Sequence, residues 1–535
     1  MALSSAVLDL LDASIGRAHI SGSARVVLTL EATVRNISGD TTETFYYATQ
    51  SFRTRGIDTP SLTIFRPRFL GPNVRKSIWS SGQIGVGSLS TQGELVLLNG
   101  DGGLDDDFDL RTYSWGGRQV TVKIGGEDWG YTAAISGRGP FETLLLGTVR
   151  HVTYDEDTVK IALAEPWPEL AEPIPQAKYA GTGGYPPEGA SDQAGIEKPL
   201  VFGHTRQTPM ILVDTTDNIY QVHDGPLEEI TSPIQDTQGK GAGDGDVADV
   251  RGHTYSGGTF WVTDHANGLI AFKNAQSGPL HCECKGAKPS GSWLSKTGDI
   301  VDEVLQNYLG IASGDIDATS LSDYDTAELA VENGFVAETG KTPSALEFLE
   351  WILAPLGSWF YTRAGMFSLK YFEDPTGTET LTIEEADISE FSRLPVLPPV
   401  WSVSVQSSYH WVIPASDTDA SNPGLNWEKF TREYRNTSAA LTDSAVQADH
   451  LDAREVTLGT PDYGPTNNLR DDIANLYGTE RDCYRLRLKA KIMRYEIGDL
   501  IKVNLPRFGI TNRKMWCVGY TENWNGREFM LEVFG

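Results

Sequence analysis

Three groups of residues in this chain have types and spacing that could carry chemistry. The first is NGDGGLDDDFD, Asn99 to Asp109, with five aspartates among three glycines. A calcium loop of the helix–loop–helix kind needs oxygen ligands at alternate positions, a mid-loop glycine and a late glutamate. Asn99, Asp101 and Asp105 meet part of that pattern, but Gly103 takes the fifth position and no glutamate closes the loop. The second group is the cysteines. Cys282 and Cys284 in HCECKG stand two apart, on one face of an extended segment, and Cys483 and Cys517 lie on two other segments of strand character. Four thiolates could hold zinc or an iron–sulfur cluster, yet the paired Cys-x-x-Cys spacing is missing and buried free thiols are the alternative. The third is His223–Asp224 in YQVHDGP, a pair that could orient a general base but has no nucleophile motif beside it.

No Gly-x-Ser-x-Gly, His-Glu-x-x-His or Gly-x-x-x-x-Gly-Lys-[Ser/Thr] motif occurs. Carboxylate pairs such as Asp155–Glu156 are common, but in so acidic a chain their abundance does not point to glycosidase chemistry. The expectation is therefore a protein without a catalytic, cofactor or metal residue, with the acidic stretch serving as a turn.

Composition narrows the partners. Lys and Arg number 44 against 72 Asp and Glu, a formal charge of −28. A chain this acidic does not grip phosphate backbones, and its mean field repels nucleic acid and anionic membranes. No apolar run approaches the roughly 20 residues of a membrane span. MALSSAVLDLLDASIGRAH carries Asp9 and Asp12 and no basic leader, so a signal peptide is not expected.

The elements that must position these residues read as mainly β with a small α+β module. In RVVLTLEATV, Val26, Leu28, Leu30, Ala32 and Val34 share one face; Val120, Val122 and Ile124 repeat the pattern, as do Val159, Ile161 and Leu163. Residues 1–165 are expected to form an N-terminal β domain. Residues 166–286 begin with a Pro/Gly-rich linker or long ordered loop and continue as a second β region, in which QGKGAGDGDVADVRG is expected to be a partner-binding tip.

Residues 287–390 are expected to form the α+β domain. There TGDIVDEVLQNYLG reads as a helix capped by Thr297. TPSALEFLEWILAPLG reads as one with Ser344 and Glu347 at capping-box spacing, burying Leu346, Leu349, Ile352 and Leu353, and a hairpin turns at Arg363 to Gly365. Residues 391–535 are expected to form a C-terminal β barrel with a short helix near 466–477, capped by Thr466. Within it RDCYRLRLKAKIMR places Arg481, Arg485, Arg487, Lys489 and Lys491 on one strand face, and Tyr484, Leu486, Leu488, Ala490 and Ile492 on the other. This basic stripe in an acidic protein is either a solvated sheet face or a contact with an acidic neighbour. Arg485, Arg487, Lys489 and Lys491 are the interface candidates.

Three segments resemble the tail-hub (baseplate-hub) proteins of long-tailed, non-contractile bacteriophages, in the form found in Mu-like transposing siphophages. They are LSTQGELVLLNGDGGLDDDFD leading to GRQVTVKIGG and LLLGTVRHVTYDEDTVKIAL; IEKPLVFGHTRQTPMILVDTTDNIYQVHDG; and NLYGTERDCYRLRLKAKIMRYEIGDLIKVNLPRFGI with REFMLEVFG. The resemblance implies β-barrel or sandwich hub domains around a central channel, assembled as a homotrimeric ring, with a smaller mixed domain inserted. It implies a virion protein, made in the bacterial host cytoplasm and placed at the distal end of the tail. Its implied partners are its own copies, the distal tail protein or tail tube, the tape-measure protein, and tail-tip and fibre proteins, with DNA only passing through. It implies no metal for the Asn99–Asp109 turn. A tail-tip cell-wall hydrolase and a glycan-binding host-adhesion protein are the alternatives; tryptophans exposed in a groove would favour adhesion, and their burial would favour the hub.

Overall fold

The computed structural model describes residues 26–80, 83–84, 90–134, 140–164, 167–174, 176–186, 188–235, 238–327, 332–353, 358–363, 366–413, 432–460, 467–489, 495–524 and 528–535. Lys491, Ala490, Ile492, Thr466, the amino-terminal stretch and the Ala364–Gly365 turn lie outside them.

The fold is mainly β, built on two large sheets. The larger has fourteen strands among the described residues. Its main path runs Thr41–Ala48, Val26–Asn36, Gln119–Gly126, Glu142–Tyr154, Thr158–Ala164, Ser90–Leu98, Phe69–Ser77, Ile510–Asn523, Glu528–Phe534, Cys483–Leu488 and Ile388–Leu394. Alternation fixes its register. Leu30 faces Val122, Val159 faces Leu97 and Ile161 faces Leu95, all of them buried. Val27 and Thr29 are buried as well, so the first strand is covered on both faces over that length. The Tyr154–Val159 hairpin closes where Asp155 accepts from the amides of Asp157 and Thr158 at 3.0 and 2.7 Å.

The sheet passes from the start of the chain to its end between Phe69–Ser77 and Ile510–Asn523, antiparallel, with Gly519 opposite Ser77 and Asn523 opposite Asn73. The carboxy-terminal strands thus continue the amino-terminal sheet, and Leu381–Glu384 joins them alongside Leu500–Leu505.

The second sheet has nine strands among the described residues. Its path is Gln238–Gly239, Leu227–Gln235, Leu280–Ala287, Leu200–Asp214, Ile219–Gln221, Leu269–Phe272, Thr259–Asp264 and Ala242–Asp246. Only Lys240 and Gly241 separate the first and last of these in the chain. The two ends of the sheet must therefore come together, and the sheet curls. The Pro/Gly-rich stretch before it is an ordered loop where described: Ile174 and Tyr179 are buried.

The mixed module packs beside this sheet. Helix Thr297–Glu303 runs on into a π turn, Val304–Tyr308, and buries Ile300, Val301, Val304 and Leu305. Thr297 is not its cap: it lies inside the first turn, fully buried, bonded to Asn333. Asp325 of helix Ala318–Ala327 does the capping, accepting from the Gly298 amide at 2.7 Å. Helix Ala345–Leu353 carries the expected capping box, Ser344 N to Glu347 at 2.7 Å and Glu347 N to Ser344 at 3.1 Å. It buries Phe348 in place of Leu346, because 345, 348, 349, 352 and 353 form the covered stripe. Helix Asn467–Tyr477 buries Leu469, Ile473 and Leu476, as its periodicity predicts, and packs with Val400–Tyr409 against the module's core. No helix among the described residues is long and apolar enough to cross a membrane.

Candidate functional site

The acidic stretch is a turn held by arginines. Arg68 meets Asp101 bidentately at 2.7 and 2.6 Å, Arg66 and the Tyr47 hydroxyl meet Asp107, and Arg111 meets Asp109 at 2.9 Å. Asn99, buried beneath the turn, accepts from the Leu104 amide and donates to Asp105, both at 2.8 Å. These bonds direct Asp101, Asp107 and Asp109 toward arginines of the chain. No group of three or more possible metal-ligating side chains occurs among the described residues.

The cysteines are divided between two cores. Cys282 and Cys284 lie in the core of the curled sheet, and Cys483 and Cys517 in that of the carboxy-terminal strands. All four are free and buried, and burial pushes each thiol above its ordinary range. His223 has a structural bond: its Nδ1 accepts from the Val201 amide at 3.0 Å, and burial holds it down to about 4. Asp224 turns instead to Lys198, at 3.6 Å.

On the basic strand Cys483–Leu488 the alternation is as expected, with Tyr484, Leu486 and Leu488 buried. The described cations on the other face have partners within the chain. Arg485 lies opposite Glu532 and reaches it at 2.6 Å; Arg487 lies opposite Glu390 and reaches it at 2.7 Å and Glu528 at 3.5 Å; Lys489 Nζ donates to the Ala386 carbonyl at 3.1 Å. Arg481 turns to Asp374, at 2.6 Å. The stripe is thus one rung set of a cross-strand charge ladder.

Sequence reading missed a cleft of about 760 Å³ on the curled sheet. Its floor is Cys282–Glu283 on the central strand Leu280–Ala287. On one side the pairing with Leu200–Asp214 breaks between Thr205 and Thr208; on the other, pairing with Leu227–Gln235 breaks between Thr231 and Ile234. Each bulge holds a non-glycine residue at positive φ, Gln207 at 46° and Ser232 at 48°. Bulges redirect side chains, and strained backbone of this kind gathers at sites. Here they turn Arg206, Gln207 and Ser232 to the cleft. The QGKGAGDGDVADVRG segment supplies Gly239 to Gly243 as one wall, and the Trp261 ring packs so closely on Gly243 that a Cβ there would lie 2.6 Å from it.

His410 and Arg435 enter from the neighbouring sheet, Arg206 bridging to His410. Arg206 pairs with Glu283 at 3.1 Å, and Glu283 also meets His204 at 3.4 Å. Burial brings Arg206 down to about 10, still charged at neutral pH, and brings His410 down to about 4, helped by Arg206, Arg435 and His281 beside it. Positive φ at Gln207 and Ser232 leaves no mark in the sequence, and Arg206 and Arg435 are far apart in the chain; the glycine-rich segment was the one legible signal.

No known protein family matches the sequence. No curated protein matches it either. Among solved structures, the fold is similar to the 43 kDa tail protein of prophage MuSo2 from Shewanella oneidensis, with a TM-score of 0.38 and 10% identity over 95% of this chain and 98% of that one. It is also similar to a chain from the virion of a native gene transfer agent particle, with a TM-score of 0.17 and 12% identity over 55% of this chain and 89% of that one.

Proposed function

We propose that this chain is a structural tail-hub protein: a homotrimeric ring at the distal end of a phage tail that joins the tail tube to tip proteins and fibres and surrounds the path of tape-measure protein and DNA. The observation that carries the proposal is the seam between Phe69–Ser77 and Ile510–Asn523. It makes one β body of strands from the two ends of the chain, with the mixed module between them in sequence; of this, the inserted mixed domain is what the sequence resemblance implies. The pairing of the acidic turn with Arg66, Arg68 and Arg111, and of His223 with backbone, supports a non-enzymatic role. A charge of −28 suits a wall past which DNA slides without being held. Light scattering of the purified chain tests the assembly: a particle of three 58.5 kDa chains is expected, and a monomer at micromolar concentration contradicts the ring. Release of fragments from purified peptidoglycan above a buffer control would contradict the non-enzymatic role.

A further inference from the structure

We propose that the hairpin Phe52 to Phe65 docks into a cleft on a second copy of this chain, linking copies head to tail; the contact rests on the ring reading above and supplies the joint between its subunits. The hairpin is anchored at its root, where Phe52 faces Phe65 and both are buried, Phe52 against Phe141 and Phe65 against Tyr131. Its tip is fixed by Asp58, whose buried carboxylate accepts from the amides of Arg55, Tyr131 and Thr132, each at 2.9 Å. Leu62 is held at φ 50°, a strained setting for a bulky residue. What this hairpin presents to solvent is apolar and basic. Ile57, Leu62 and Ile64 are 72, 55 and 62% exposed, and Arg53 and Arg55 are exposed beside them with no ion pair among the described residues. Asp58 is the one acid in the hairpin, and backbone amides take up its charge. An apolar tip already held in shape marks a contact surface and binds with little cost of ordering.

Such a tip fits an acidic surface with room for aliphatic side chains, and the chain itself carries one. A cleft of about 570 Å³ is lined by Asp105, Asp106, Leu110 and Tyr154 among others. A cavity of roughly 150 Å³ already takes a benzene, so this one can receive several apolar groups. Leu110 and Tyr154 are exposed and offer Ile57 and Leu62 an apolar seat. Arg111 and Asp109, also in the lining, pair with each other at 2.9 Å. Asp105 bonds the neutral Asn99 amide, and Asp106 has no partner among the described residues. Both carboxylates therefore remain to meet Arg53 and Arg55. Hairpin and cleft lie toward opposite ends of the same strands. Ala48, just before the hairpin, faces Thr29, whereas Ile37, past the far end of Val26–Asn36, donates to Thr112 at the end of the acidic turn. Each contact then joins two different patches, a geometry that closes into a ring when the rotation allows. An anionic lipid surface also matches a basic, apolar tip, but the field of a chain of charge −28 opposes it.

Sedimentation of the full chain tests the contact with two double variants at exposed positions, Ile57→Asp with Leu62→Asp in the hairpin and Asp106→Arg with Tyr154→Ser in the cleft. Each alone is expected to weaken self-association at least roughly tenfold and to run as a monomer where the native chain is a trimer. Mixed in equal amounts, the two are expected to form a dimer and no trimer. The hairpin variant still offers its cleft and the cleft variant its hairpin, so one contact forms and the ring cannot close. The thermal midpoint of each variant checks folding, and Arg53→Glu with Arg55→Glu replaces the first variant if it does not fold, with the same outcome expected. A native trimer kept in both variants would overturn the contact and leave the hub reading standing; a native chain that is monomeric at micromolar concentration would overturn both. Loss of the trimer in the hairpin variant alone, or a mixture that stays monomeric, would overturn the pairing of hairpin with cleft. Flotation of the native chain with phosphatidylglycerol vesicles, lost in the hairpin variant while its trimer persists, would give the tip to a lipid surface and overturn the second copy as its partner.

Discussion

Glu532 joins Arg485 on one side to Ser77 on the other. Arg485 Nε and Nη2 reach its Oε1 at 3.0 and 2.6 Å, and the Ser77 hydroxyl donates to its Oε2 at 2.9 Å. One carboxylate, 5% exposed, thus ties together three strands from the two ends of the chain. Gly519 makes room for it: a Cβ there would lie 2.6 Å from Oε2 and 2.8 Å from the Ser77 hydroxyl.

Removing that carboxylate should loosen the seam. Glu532→Ala leaves Arg485 and the Ser77 hydroxyl without their shared acceptor. Because the Arg485 side chain is 38% exposed and can rehydrate, the cost is expected near the low end for a buried pair, about 2 kcal/mol. Thermal unfolding should show a lowered midpoint, and limited proteolysis should show earlier cleavage near the seam. A midpoint equal to that of the native chain would mean that the seam does not depend on Glu532.

Glu522, on the same seam strand, should make stability fall as pH rises. Burial first, and then the neighbouring Glu496, push its carboxyl up to about 8, with Lys76 opposing; the phenols of Tyr495 and Tyr520 share its surroundings. The unfolded reference is 4.5, so the folded chain holds this proton more tightly. The stabilisation is complete below about 4.5 and is lost as pH rises through about 8. Glu522→Gln should therefore gain in melting temperature relative to the native chain between pH 6 and pH 9. Parallel melting curves across that range would contradict the shift.

The strands that set this core were legible because their signal is local. Val120, Val122 and Ile124 alternate within five residues, and the capping box of Ser344 and Glu347 spans four. The seam was not legible: Ser77 and Gly519 meet through a pairing that no local period encodes. Thr297 looked like a cap because its type and place fit, but Asn333 holds its hydroxyl and Asp325, a helix away, satisfies the Gly298 amide. The basic stripe was legible as a face, whereas its partners Glu390, Glu528 and Glu532 arrive from other strands.

Within the Asn99–Asp109 turn the amide side chain should matter more than the acids. Asn99 is buried and satisfies a backbone donor, so Asn99→Ala should cost about 1–2 kcal/mol. Asp101 is exposed and pairs at the surface, so Asp101→Ala should cost less than Asn99→Ala. Chemical denaturation of both variants checks the order, which a larger loss in Asp101→Ala would reverse. Calorimetry with calcium should show no micromolar site; one abolished by Asp101→Ala would contradict the arginine-held turn.

The basic stripe carries a prediction about assembly. Arg487→Glu with Lys489→Glu sets like charges against Glu390 and Glu528 and reverses the face proposed to meet an acidic neighbour. The trimer fraction, or attachment to the tube above, should fall, more at low salt than at high salt. Assembly unchanged at low salt would remove the stripe from the interface and leave it a solvated ladder.

Immunogold labelling of intact particles with antibody raised against the purified chain tests the hub assignment most directly. The account predicts gold confined to the distal end of the tail, where the tube gives way to the tip. Gold along the tail shaft or on the head, or particles that bind no antibody although the chain is made, would contradict it.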